Sequence, residues 1–265
     1  MKRGAMIILL LSTACGCQEP EPTGRRVPSV KRDTGPTVVL SDRVVLTFEA
    51  VKIKRSAFHQ LEQLRSYMET AGVYGLDEPL LAMNGLRVGR TDLRFREQFQ
   101  KTLGAIRSDP KQVAIVQMTA GGREQNFDVG DTLTDETLFV WTDHAAVTGR
   151  HFRRARYRMA LKLEQVKSSQ AELSMSWQVQ TGPGLNRTVS LAPLDLRAEL
   201  AKGQSLVVGP VDFRGRGVGR ALLSGVDEQA VEITFFVITP TEVRQKTPRA
   251  EGMDSAAVGS AARGG

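Results

Sequence analysis

The chain has 265 residues, 41% of them hydrophobic and 25% charged, a balance that excludes a disordered or collagen-like polypeptide. Its formal net charge is +7, which fits simple solubility, lipid head groups or anionic envelope polymers. The two cysteines are Cys15 and Cys17, so the remainder of the chain holds no internal disulfide and no thiolate metal site.

In chain order, Lys2 and Arg3 form a short positive segment and Ala5 to Leu11 an apolar run. The run is far shorter than the roughly 20 residues a membrane-spanning helix requires. Small residues Ser12, Thr13 and Ala14 then lead to Cys15 and Cys17. The pattern is that of an export signal over residues 1–17. Its small residues ending in cysteine resemble the lipobox of bacterial lipoproteins. That resemblance implies a diacylated cysteine, Cys15 or Cys17, with Cys15 better placed after the apolar run. An ordinary signal peptide with incidental cysteines is the alternative. Export argues against nucleic acid as a partner. It predicts a protein held to the cell envelope through a lipid, on the periplasmic side of the outer membrane.

Residues 18–37 hold four prolines and no apolar periodicity, and read as a flexible tether. From Asp42 to Arg55, Val44, Leu46, Phe48 and Ala50 share one face while Val45, Thr47, Val51 and Ile53 share the other. Apolar residues on both faces predict a buried strand. Phe58, Leu61, Leu64, Tyr67 and Met68 repeat at helical spacing after Ser56. A second helix starts at Glu78-Pro79 and stops at Asn84-Gly85. Leu86 and Val88 predict a strand, Phe95, Phe99, Leu103 and Ile106 a third helix from about Asp92, and Val113 to Met118 another strand. Residues 38–120 thus read as a β-α-α-β-α-β module. Within it, Leu81, Ala82, Asn84, Gly85, Leu86, Arg87, Val88 and Gly89 resemble a turn in exported proteins of planctomycete-type bacteria, a family with no activity to transfer.

Beyond Gly121-Gly122 the period becomes two. Phe127 and Val129 precede a turn at Gly130-Asp131, and Thr137 to Trp141 reads as a strand. Phe152 to Glu164 alternates, as does Leu173 to Val179, and Lys167-Ser168-Ser169-Gln170 joins them as a hairpin. Further strands are expected at Thr188–Leu191, Leu194–Leu200, Ser205–Val211, Val218–Leu223 and Ala230–Ile238. The fold class is therefore α+β: a small N-terminal α+β module, then an antiparallel β sandwich or open barrel over 121–243. Residues 244–265 read as a disordered tail.

No motif calls for catalysis or a cofactor. The densest basic patch puts Arg154, Arg156 and Arg158 on one strand face, a candidate anion-binding row or a solvated outer face. Phe213 to Arg220 is glycine-rich but lacks the dinucleotide and phosphate-loop spacings, and reads as a flexible loop. His59, His144 and His151 have no metal-ligand spacing, and the Asp143-His144 pair has no Gly-x-Ser-x-Gly nucleophile to serve. Gly203-Gln204-Ser205 with the apolar run to Gly209, and Ile233 to Val243 with its Ile-Thr-Pro, resemble two strands of secretins, the outer-membrane channels of bacterial secretion machines. About twenty residues separate the two motifs here, where secretins carry a longer membrane-lip region; the resemblance thus implies at most a secretin-like β-module without a pore. Its partners would be secretion-machine proteins or copies of itself. The leading expectation is a non-enzymatic binding or assembly component of the envelope. A binding module for an anionic envelope component and a hydrolase with an unrecognised site are the alternatives.

Overall fold

Strand β1, Arg43–Lys54, buries Val44, Leu46 and Phe48 on one side of its pleat and Val51 and Ile53 on the other. That one strand fixes the layering, because a strand buried on both faces has to lie inside a three-layer stack. The computed structural model describes residues 41–75, 77–109, 113–211, 217–223 and 232–246. After β1 come α1 (Leu61–Arg65), β2 (Met68–Glu69), β3 (Val73–Tyr74), α2 (Glu78–Met83), β4 (Leu86–Thr91), α3 (Arg96–Ile106) and β5 (Val113–Thr119). The second half adds β6 (Gln125–Trp141), β7 (Val147–Lys167), β8 (Gln170–Thr181), β9 (Arg187–Ser190), β10 (Leu196–Ala201), β11 (Leu206–Pro210), α4 (Val218–Leu223) and β12 (Glu232–Arg244).

The strands form two antiparallel sheets, neither of them closed. Sheet A has the order β2-β4-β11-β12-β1-β5; sheet B has β3-β10-β8-β7-β6, with β9 also paired to β8. The sheets pack face to face. Val44, Leu46 and Phe48 of β1 and Phe236 and Ile238 of β12 meet Tyr157, Met159 and Leu161 of β7 and Met175 and Trp177 of β8. Phe48 stacks on Phe127 at 4.0 Å between ring centroids, and Trp177 tilts against Phe236 at 6.4 Å. On the far side of sheet A, Val51, Ile53, Val207, Phe235 and Val237 pack against Leu61 and Leu64 of α1 and Phe99, Leu103 and Ile106 of α3. Those three α3 residues recur at helical spacing, and burying each stabilises the layer by about 1.5–3 kcal/mol. No helix among the described residues is long and apolar enough to cross a membrane.

The boundary expected at residue 120 does not divide two bodies. The described residues, 41 to 246, fall in one compact unit, and β11 and β12 lie between β4 and β1 in sheet A. The cause is the composition of β12: Ile233, Phe235 and Val237 need cover on one face and Phe236 and Ile238 on the other, and only the middle of a stacked sheet supplies both.

Two other expectations are corrected. Gly130-Asp131 makes no turn, because β6 runs on through it with a register shift against β7 between Val129 and Leu133. Residues 130 to 132 there stand against the single Arg156, and the pairing continues on either side. Val218–Leu223 is a helix, not a strand. Val218, Leu222 and Leu223 are buried at helical spacing, and the Gly219 N–H donates to the Asn84 carbonyl at 2.7 Å. A Cβ at Gly219 would stand 2.1 Å from the Gly85 oxygen, so glycine alone permits this approach. The hairpin at Lys167 to Gln170 forms as expected, with Ser168 and Ser169 both at positive φ. Residues 1–40, 212–216 and 247–265 lie outside the described residues, and with them the signal, Cys15 and Cys17, the tether, most of the glycine-rich loop and the tail.

Candidate functional site

The middle of sheet A is covered on both faces, its edge strand β5 leaves Val113 and Ile115 exposed, and sheet B is covered on one face, so the outer face of sheet B is the broad polar face that no described element overlies. The alternation of β8 produces it: Leu173, Met175, Trp177 and Val179 are buried inward, leaving Ser174, Ser176, Gln178 and Gln180 outward. A trough of about 690 Å³ runs across this face. Its floor is made by Ala160, Ser174 and Ser176, and its rim by Tyr74, Glu124, Lys162, Gln178, Ser190, Asp195 and Arg197. Two features of the chain create it. Outward side chains on the central strand are short, and the strand beside β8 is interrupted, with β9 ending at Ser190 and β10 starting at Leu196. Between them the chain turns inward, where the Leu191 N–H donates to the Trp177 carbonyl at 2.8 Å.

Both cations on the rim are already engaged. Lys162 Nζ donates to Glu164 at 2.9 Å, and Ser174 Oγ donates to the same carboxylate at 2.7 Å. The Ser174 hydroxyl first, and Lys162 second, hold the Glu164 carboxyl below its ordinary range. Arg197 lies 3.8 Å from Glu172. Tyr74 is half-exposed, and its hydroxyl donates to Glu199 at 3.2 Å, a bond that raises the phenol's pKa. Asp195 is shifted upward, chiefly by desolvation.

The arginine row lies further along the same face. Arg154, Arg156 and Arg158 do share it, between the buried Ala155, Tyr157 and Met159. Asp128 on β6 faces two of them, 3.4 Å from Arg156 and 3.2 Å from Arg158. The Arg154 guanidinium has no ion pair among the described residues. The structure thus brings the row and the trough onto one surface. Tyr74, Glu124 and Asp195 carried no sequence signal of their own; the paired outward serines of β8 did.

The other candidates separate. Asp143 accepts the N–H groups of Ala145 and Ala146, both at 2.7 Å, and shapes its own turn. His144 pairs instead with Asp77 at 2.8 Å on open surface, and no hydroxyl group is hydrogen-bonded to it among the described residues. His59 bonds the Ser56 carbonyl, and His151 bonds Thr137. No group of three His, Cys, Asp or Glu that could hold a metal occurs among the described residues.

Asn84 is fully buried. Its amide donates to the Leu80 and Trp141 carbonyls, both at 3.0 Å, and accepts the Trp141 N–H at 2.9 Å. It stops α2 and pins the end of β6. The Gly203-Gln204-Ser205 motif is likewise a structural knot. Gln204 donates to the Thr91 carbonyl at 2.9 Å, Ser205 N donates to Thr91 Oγ1 at 2.8 Å, and Ser205 and Thr239 share a hydroxyl bond of 2.6 Å. The strands that carry the Gly203-Gln204-Ser205 and Ile-Thr-Pro motifs pair directly, Leu206 opposite Ile238, in the middle of sheet A. Compared with known proteins, the chain matches no family model, no curated protein and no solved structure.

Proposed function

We propose that this protein is a non-enzymatic binding component of the cell envelope, attached through a lipid on Cys15 or Cys17, and that the outer face of sheet B is its binding surface. The observation that carries the reading is the uncovered polar face with its trough, beside a sheet whose middle strands are packed on both faces. Replacing both cysteines with serine releases the protein from the membrane fraction; retention there overturns the lipid anchor. A photo-crosslinker at position 176 captures an envelope component in cells, whereas one at Glu97, on the exposed side of α3, does not. Equal capture from both positions overturns the binding face.

A second reading keeps the face and changes the ligand: an anionic envelope component held by the arginine row. Arg154, with no ion-pair partner among the described residues, favours it. Arginine forks match phosphate and carboxylate geometry. An assembly role through the secretin-like strands would have to use some other surface, since β11 and β12 are buried on both faces.

A further inference from the structure

We infer that the trough on sheet B takes a neutral, polyhydroxylated polymer: a glycan chain lying across β8. The inference rests on the binding-face reading above and names its ligand class.

Charge is the first argument. Lys162 is paired with Glu164 and Arg197 lies 3.8 Å from Glu172, so a carboxylate already stands beside each cation of the rim. The carboxylates of Glu124 and Asp195 line the trough without a cation of their own among the described residues. A polyanion would meet two uncompensated acids there. Carboxylates accept strong hydrogen bonds from O–H donors, and sugar hydroxyls are such donors.

The floor is the second argument. Ser174 and Ser176 each offer a hydroxyl that both donates and accepts, and Gln178 adds an amide with both capacities. A polyol needs that duality, because each of its hydroxyls does both. Aromatic geometry is the third. Tyr74 is 50% exposed at one end of the trough, and its hydroxyl is tied to Glu199, which holds the ring at the rim. An aromatic ring presents a flat apolar surface with a polar tip, and the C–H face of a sugar ring can lie on it. The volume, about 690 Å³, is within the span of small-ligand sites.

The test is affinity electrophoresis of the full chain in detergent, on native gels cast with dextran, xylan or mannan. Beads carrying dextran sulfate or polylysine are used in parallel. At least one neutral polymer retards the protein. Ser176→Tyr, which fills the floor, abolishes the retardation; Tyr74→Ala weakens binding by about tenfold. Reversing Arg154, Arg156 and Arg158 to Glu leaves neutral-polymer binding intact. Near-ultraviolet circular dichroism of the buried Trp177 shows whether Ser176→Tyr is folded, and Tyr74→Ala, at an exposed position, gives the second reading if it is not. Retention on dextran sulfate alone, lost on reversing the arginines, overturns the glycan and moves the ligand to the arginine row. Retention on polylysine alone makes the ligand a cation and also overturns it. No binding to any of the five polymers overturns the inference while crosslinking from position 176 stands. Loss of that crosslinking as well removes the binding face with it.

Discussion

Sheets A and B are both antiparallel, yet they are built from different sequence. The middle of sheet A has cover on both sides, and its central strand β12 runs Ile233-Thr234-Phe235-Phe236-Val237-Ile238 with five apolar residues in six. Sheet B has cover on one side, and its central strand β8 alternates strictly between Leu, Met, Trp or Val and Ser, Gln or Glu. The difference shows where the molecule has freedom. Most apolar side chains on the middle strands of sheet A are committed to one of two cores, so these residues hold the fold. Half of the side chains on sheet B are committed to none, so that surface can be shaped for a ligand without cost to packing.

The strongest way to break this contrast is to strip cover from sheet A. Phe99 on α3 is fully buried against it. Phe99→Ala removes a ring and leaves a cavity, for an expected loss of about 3–5 kcal/mol. Gln178→Ala, on the open face of sheet B, stays within about 0.5 kcal/mol of the wild type. Denaturant midpoints measure both. Similar midpoints for the two variants would mean that the helix layer does not cover sheet A in solution.

A smaller loss is expected at the join between the layers. Asn84 fastens the end of α2 to the backbone of β6 through Trp141. Asn84→Ala leaves a Trp141 N–H and two carbonyls without that partner, at a cost of about 1–3 kcal/mol. The turn after Trp141 should also become more open to proteases. Limited proteolysis checks this: cleavage unchanged over residues 142–146 would show that Asn84 stops the helix and holds nothing else.

What the sequence revealed of this architecture follows from the range over which each signal acts. The two-faced apolar pattern of β1 and the alternation of β8 are local, and both were readable. The end of α2 at Asn84-Gly85 was readable too, but not its grip on Trp141, which lies 57 positions away. The placement of β12 beside β1 pairs Arg43 with Arg244 across almost the whole described chain, and no local pattern encodes that choice. It is why one body was read as two modules. Val218 to Leu223 was read as a strand because a short apolar run has no decisive period. What decides for a helix is Gly219 against Gly85, a contact made only after folding. The trough follows the same rule. Its serines were visible as outward residues, but its rim draws on β3, β7, β8, β9 and β10 and on Glu124, which meet only when sheet B forms.

The weakest expected effect separates the two sheets by acidity. Glu164, on the open face, is held below its usual pKa by the Ser174 hydroxyl and by Lys162. A carboxyl whose folded pKa is lowered contributes stability above its unfolded value, here about 4.5, and loses it as pH falls through the folded value. Water reaches this pair, so its contribution at neutral pH stays under about 1 kcal/mol. Glu164→Gln should therefore be slightly less stable than the wild type at pH 7 and indistinguishable from it at acid pH below the folded value. Charge, rather than shape, is then what Glu164 supplies to the sheet. A stability difference that persists unchanged from pH 7 into acid would show the reverse: that the carboxylate acts by packing, and that the face is more tightly built than its exposure implies.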